Sequence, residues 1–425
     1  MHDKGRTQPM AKRTAQDIRR RNRFDALRCV FAAPGPVSRQ EIAAATGLSF
    51  ATVANLVAEL LEAGVLREAG HEDSKGGRPR ARLAVNAERG ALVGIDVAET
   101  SVQVELFDLA LTVLRGVRLP LPQTDVRPQD VVDAIVAGVE GLSDSAVEAP
   151  RILGAGVSVP GLVEREGGVS VFSPYWSWRD VPLRSLLAER LPMPLYLDNP
   201  LKAGTVAEMW FGAGREVDDL VVLTLRAGVG AGIAVDGALY RGATNSAGEW
   251  GHTCLVRGGR ACRCGRQGCV EAYVSSRGIA DTVRELDAES PLLDPDEDVV
   301  VTKVARAAAE GDAVAAEAVA RTARYLGEAA ADLLNLFNPQ TLVLGGWVAE
   351  RLGEPLLRQT RDVIAAHALP ATLQALTFQR STVPDNPVTL GAATFALEGF
   401  LDDRETFATV AAGRRAAKAA KARTS

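Results

Sequence analysis

Four of the five cysteines in this 425-residue chain fall within the stretch GHTCLVRGGRACRCGRQGCVE, from Gly251 to Glu271. One of the four histidines, His252, lies in the same stretch, and Glu249 and Glu271 bracket it. Thiols and an imidazole at this density suit three chemistries: a disulfide knot, a catalytic metal centre, or a closed metal clip that holds a loop. The odd cysteine count argues against a disulfide framework. The N-terminal stretch has basic residues with no apolar run behind them, so no secretory signal is expected. No uncharged apolar run approaches the roughly 20 residues of a membrane span. These features predict a cytoplasmic protein without a membrane partner, in a compartment where disulfides rarely persist.

A chain of this length predicts two or three domains. Its charge is divided unevenly: residues 1–82 carry fifteen Lys and Arg against nine Asp and Glu, while the whole chain carries a net charge of -5. A basic head on an acidic body predicts a polyanionic partner for the head.

The head carries a pattern as well as charge. In VSRQEIAAATGLSFATVANLVAELLEAGVL, from Val37 to Leu66, Ser38 and Glu41 form a capping box. Ile42 and Ala45 share one helical face. TGLS makes a glycine turn, after which Ser49 can cap a second helix. Val53, Leu56, Val57 and Leu60 form its apolar stripe, leaving Phe50, Thr52, Asn55 and Glu59 outside the stripe. Two short helices joined by such a turn predict a helix-turn-helix that reads double-stranded DNA. A supporting helix is expected near residues 18–32. REAGHEDSKGGRPRARLAV then reads as a strand, a glycine-rich tip and a returning strand, a wing able to reach a minor groove. The expected DNA contacts are Ser38, Arg39, Ser49, Phe50, Thr52, Asn55, Lys75, Arg78 and Arg80. A helical hairpin used for dimerisation is the alternative.

From Gly90 the pattern turns to strands. ALVGIDVAETSVQVELFDLALTVLRG and DLVVLTLRAGVGAGIAVDGALYRG repeat one plan of apolar strand, turn and alternating strand. Helical patterns separate the copies, so two related α/β lobes with a cleft between them are expected. In SPYWSWRDVPL, Trp176 and Trp178 fit either the cleft mouth or the core.

A winged helix-turn-helix followed by two such lobes and by GEWGH…CRCGRQGCVE resembles the ROK family of repressors and sugar kinases. The resemblance covers roughly residues 20 to 400 and rests on a Gly-His plus Cys-x-Cys-Gly-x-x-Gly-Cys-x-Glu signature. It implies an α/β multidomain chain whose body has a two-lobed, actin-like (ribonuclease H-like) fold with a structural zinc loop. The implied boundaries are 1–85 for the winged helix-turn-helix, with 1–17 disordered; 86–199 for a first lobe completed by helix 387–402; 200–386 for a second lobe; and 403–425 for a flexible tail. The resemblance implies zinc at His252, Cys262, Cys264 and Cys269. One nitrogen and three thiolates make a closed tetrahedral set that holds structure and activates nothing. It also implies that Asn199, Glu249, His252 and Glu271 bind sugar hydroxyls, as carboxylates can by accepting from two neighbouring hydroxyls. The alternative for both glutamates is to orient the zinc ligands. Cys29 is expected to pack in the head, and Cys254 to stand aside.

The chain departs from the kinase pattern in four places. DVAET has Ala98 and Glu99 where family kinases have glycines. RAGVG has Arg226 and Ala227 in place of Gly-Thr. GGW puts Trp347 in a triple-glycine position. Pro200 falls on the catalytic aspartate, the base that takes the proton of the attacking hydroxyl; Asp198 is two residues out of place. Pro200 suits the first turn of a helix capped by Asn199 or Asp198. The expectation is therefore a homodimeric or homotetrameric, sugar-responsive transcription regulator, most readily a repressor, without ATP as cofactor. An active sugar kinase with a DNA-binding head is a second reading. A regulator whose cleft has lost its sugar and answers to a protein is a third.

Overall fold

The computed structural model describes residues 15–72, 80–122, 124–142, 151–383 and 386–403. Lys75, Arg78, the wing tip, and the tails at 1–14 and 404–425 lie outside the described residues. The chain divides into two units, Met1–Arg89 with Leu397–Ser425, and Gly90–Ala396.

The first unit begins with α1 (Ala15–Ala32), α2 (Arg39–Thr46) and α3 (Phe50–Glu62). Ser38 and Glu41 close the capping box at α2, and Gly47 ends that helix in the left-handed region. Ser49 caps α3 by accepting from the Thr52 N–H. Val53, Leu56, Val57 and Leu60 are buried, with Leu27 of α1 and Ile42 of α2. Ala45, three residues after Ile42 on the same helix, is exposed, and Ile42 alone of α2 is buried. Glu59 departs from expectation, being buried in ion pairs with Arg19 and Arg23 of α1. The strands β1 (Leu66–Glu72) and β2 (Arg80–Val85) pair antiparallel as a wing. A bridge from Val37 to Leu83 ties the wing to the approach to α2.

In the second unit β3 (Ala91–Val97), β4 (Ser101–Asp108) and β5 (Val113–Pro120) form a meander, followed by α4 (Pro128–Gly141) and β6 (Ile152–Ser158). A small antiparallel sheet, β7 (Leu162–Glu164), β8 (Val169–Ser173) and β9 (Trp178–Val181), leads through α5 (Leu183–Ala188) to β10 (Leu195–Asp198) and α6 (Pro200–Phe211). The second half has β11 (Leu220–Leu225), β12 (Val229–Val235) and β13 (Ala238–Leu239). It continues with α7 (Glu271–Val274), α8 (Ser276–Leu286), α9 (Glu297–Ala309) and α10 (Ala313–Phe337). It closes with β14 (Thr341–Gly345), α11 (Trp347–His367), α12 (Pro370–Ala375), β15 (Thr377–Arg380) and α13 (Pro387–Asp402).

The two five-stranded sheets share one plan. Their orders are β10-β6-β3-β4-β5 and β13-β12-β11-β14-β15, each with three antiparallel strands extended by two parallel ones. All of β3 and β14 is buried, as expected of inner strands covered on both faces. Each sheet has its own apolar core. The division falls between Arg89 and Gly90, and residues from Leu397 group with the first unit. There the Leu401 carbonyl accepts from Arg23 and Asp402 pairs with Arg20.

Candidate metal centre and ligand cavity

A glycine turn puts the site's polar residues in place. Gly248 has φ +92°, and a Cβ there would stand 1.9 Å from the Ala231 carbonyl oxygen; one at Gly251 would stand 1.9 Å from that of Val229. Only glycines let the chain lie on the backbone of β12 so closely. Glu249 and His252 project from the short helical turn between them. Trp250 anchors the turn, donating its indole N–H to the Ala329 carbonyl of α10 at 3.1 Å.

His252, Cys262, Cys264 and Cys269 come together, with candidate ligand atoms all within 4.8 Å of one another. Cys262 Sγ lies 3.6 Å from His252 Nδ1, and Cys264 Sγ lies 3.7 Å from Cys269 Sγ. A tetrahedral ion with zinc-like bond lengths separates such atoms by about 3.6 Å and about 3.8 Å. The donor set therefore fits a closed tetrahedral metal. Arg260 pins the loop: its backbone N–H donates to the Tyr273 hydroxyl, and its guanidinium reaches the Gly278 carbonyl and Glu285. Cys254 is exposed and stands outside the cluster, and Cys29 is half-buried in the first unit.

Beside the cluster lies a cavity of about 470 Å³, with Asn199, Glu249, His252 and Glu271 all in its wall. Asn199 caps α6 with its side-chain oxygen, accepting from the Lys202 N–H at 3.1 Å, and donates an amide hydrogen to Gly161 O at 3.3 Å. Glu271 accepts from the Val229 N–H at 3.0 Å with one oxygen and lies 3.5 Å from Cys262 Sγ with the other. It thus lies against both the cavity and the His/Cys cluster. Desolvation pushes the Glu249 carboxyl above its ordinary value, opposed chiefly by the charge of Lys202. Tyr175 also lines the cavity, with the Arg263 guanidinium over its ring. Trp178 is core and donates to the Val126 carbonyl, whereas Trp176 is half-buried and donates to the Glu99 carbonyl.

Pro200 opens α6 and also lines the cavity. Asp198, the nearest carboxylate in sequence, is engaged: Arg241 pairs with it, and it accepts from the Asn199 N–H at 2.9 Å and the Asn245 amide at 3.0 Å. Arg226 also lines the cavity, and its Nη2 lies 3.3 Å from Asp96 Oδ2, which also accepts from Asn386 at 3.0 Å. Burial works against the Arg226 charge, but Asp96 and Glu99 more than offset it. Desolvation raises the Glu99 carboxyl, with Arg226 pulling it back. The folded protein thus holds a proton on Glu99 at pH values where the unfolded chain has released it. That contribution to stability is lost as pH rises through the folded value. Arg226→Ala is expected to steepen this loss. Between pH 5 and pH 8 its melting temperature should fall further than that of wild type, by about 2–4 °C per kcal/mol of lost pairing. Thermal scans at the two pH values check this. Parallel curves would discard the pairing.

A second, smaller cavity of about 120 Å³ adjoins Arg226, Trp347, Glu350 and Asn386. Lys202 went unnoticed in the sequence. It is buried, its ammonium 2.7 Å from the Ala247 carbonyl, and burial lowers its pKa against the pull of Glu249 and Asp198. Its place beside the expected sugar ligand Asn199 was the available signal.

In the first unit, Arg39 is half-buried, Ser49, Phe50 and Asn55 are exposed, and Thr52 is half-exposed. Arg80 is exposed and bonded to Gln40. Ser38 does not belong with them: it is buried, with its hydroxyl engaged in the cap of α2. No single helix among the described residues is long and apolar enough to cross a membrane.

Comparison with known proteins places these features in context. Residues 92–398 match the ROK family, and residues 22–70 match the IclR helix-turn-helix domain. A xylose repressor of Caldicellulosiruptor bescii is 32% identical over 371 residues, covering 86% of this chain and 92% of that protein. A solved ROK family transcriptional regulator, described as a homolog of the E. coli MLC protein, superposes with a TM-score of 0.76 at 25% identity, covering 92% of this chain and 98% of the other. A ROK family glucokinase from Streptomyces griseus, solved with glucose and AMPPNP, gives a TM-score of 0.65 at 29% identity, covering 73% of this chain and all of the other.

Proposed function

The chain belongs to the ROK family, and from that premise we propose that it is a sugar-responsive transcriptional repressor acting in the cytoplasm. The observation that carries the reading is a capped helix-turn-helix in the same chain as a cavity whose wall holds Glu249, Glu271 and Pro200. A sugar or close derivative binds through Asn199, Glu249, His252 and Glu271. The name of the C. bescii relative makes D-xylose the first sugar to test. Zinc at His252, Cys262, Cys264 and Cys269 would supply no reactive position; it would fix the loop that presents His252 and Glu271. His252 would hold it through Nδ1, which lies 3.6 Å from Cys262 Sγ, and the same residue lines the cavity.

Phosphoryl transfer is not part of this reading. Pro200 has no acid–base group, and loss of a base typically costs about 10²–10⁴ in rate. Asp198 is held by Arg241 and Asn245, away from that duty. Arg226 is paired with Asp96 where phosphates would approach, and the 120 Å³ space beside Trp347 is below the roughly 300 Å³ of ordinary ligand pockets. This reading gives ATP no role.

A homodimer would set two copies of α3 in successive major grooves, roughly 34 Å apart, on a pseudo-palindrome; a homotetramer would pair two such dimers. Sugar acts by favouring one lobe arrangement, and only differential affinity for the two arrangements can do so. Selection of genomic fragments by the purified protein is expected to enrich a palindrome beside sugar uptake or catabolism genes. D-xylose or a related sugar should weaken that binding. No enriched sequence at near-physiological salt would sink the reading.

A further inference from the structure

The outward face of α3 has an unusual chemistry for a reading helix. Ala51, Ala54, Asn55, Ala58 and Glu62 fall on one side, opposite the buried Val53, Leu56, Val57 and Leu60, while Phe50 stands at the helix start on the edge of the buried stripe, seven residues before Val57. Phe50 is 56% exposed, although it is the first residue of a well-capped helix and has an apolar core nearby. The helix contains no lysine, arginine or histidine. The two hydroxyls of its first turn are occupied with each other and with the cap: Ser49 Oγ and Thr52 Oγ1 lie 2.8 Å apart, and Ser49 also accepts from the Thr52 N–H. What remains near the helix start is one phenyl ring, two methyl groups and one amide.

That face has no guanidinium or ammonium to bond guanine O6 and N7, which is the commonest way a helix reads G·C. An apolar side chain packs against the thymine 5-methyl group, and an asparagine amide pairs with adenine N6 and N7. Positive charge for the phosphates lies off the helix, on Arg39 of α2 and Arg80 of the wing strand. Resting on the reading of this unit as a DNA-binding head, we infer that α3 reads A·T pairs, with Phe50 on a thymine methyl and Asn55 on an adenine edge.

The full-length protein selects its sites from a random duplex pool, and each half-site thymine is then replaced by deoxyuridine. That change removes only the methyl group. Wild-type binding is expected to weaken about fourfold at a contacted thymine, the equivalent of one methyl group withdrawn from an apolar contact. Phe50→Ala should bind the thymine duplex more weakly and show no further loss on the uridine duplex, while Phe50→Leu should keep the sensitivity. Asn55→Ala should relax the adenine preference about tenfold. Half-sites made of G·C at the positions facing α3, or uridine substitution without effect on wild type, would overturn this inference and leave the repressor reading standing. A protein that selects no sequence would overturn both. If Phe50→Ala does not fold, the uridine series on wild type decides alone.

Discussion

Cys269→Ser protein is expected to purify without metal and to melt well below wild type. Cys269 is 1% exposed, its sulfur lies 3.7 Å from that of Cys264, and it sits with His252 and Cys262 in a cluster that fits one tetrahedral ion. Removing one thiolate leaves three donors, and structural zinc sites lose most of their affinity that way. In small zinc-dependent domains the metal supplies on the order of 10 kcal/mol. Here Arg260 and Trp250 hold the loop as well, so a smaller loss of about 3–5 kcal/mol is expected, or roughly 6–20 °C in melting temperature at about 2–4 °C per kcal/mol. Elemental analysis and a thermal scan measure both. Cys254→Ser is the control, since that thiol is exposed and outside the cluster. Equal metal content and equal melting in the two variants would remove the metal from the fold.

Glu249→Ala is expected to weaken sugar binding about 100-fold while leaving the melting temperature of the sugar-free protein nearly unchanged. A carboxylate that accepts from two sugar hydroxyls makes two charge-assisted hydrogen bonds, each contributing about 1.5–3 kcal/mol. Two at the lower figure give about 3 kcal/mol, and 1.4 kcal/mol is a factor of ten. Without sugar the same carboxylate is desolvated, which is why its pKa is raised. The empty protein gains little from keeping it. Calorimetry against a panel of aldoses, beginning with xylose, reads the first effect. Equal affinity in the variant would assign Glu249 to positioning the loop. No heat from any sugar with wild type would favour a cleft that answers to a protein.

The parts of the molecule legible in the sequence are those fixed by near neighbours. The caps at Ser38 and Ser49 act over three residues, and the Val53–Leu60 stripe acts over two turns, so the helix-turn-helix could be read directly. The density of cysteines near His252 was visible in the sequence, but Cys254 lies there too, and it was the family resemblance that singled out His252, Cys262, Cys264 and Cys269, which the fold brings together. The repeated strand plan foretold two similar sheets. Pairings between distant residues were not legible. Glu59 lies with Arg19 forty residues away, Asp198 with Arg241 forty-three away, and Asp96 with Arg226 at 130. Each looks like an ordinary charge until the fold brings its partner. Arg226 could be noticed as a departure from glycine, but not as half of an ion pair.

The wall of the large cavity includes His252 and Cys264, two of the four cluster residues, and Glu271, which touches a third. An occupant of the cavity would therefore cover one side of the four-residue cluster. If the cluster holds an ion as proposed, its exchange with a chelator would need one of the four residues to swing outward, and a filled cavity would obstruct that motion. By reciprocity, whatever factor such an occupant added to the affinity for the ion, the ion would return to the occupant. Metal supply and nutrient supply would then be registered at one place in the chain.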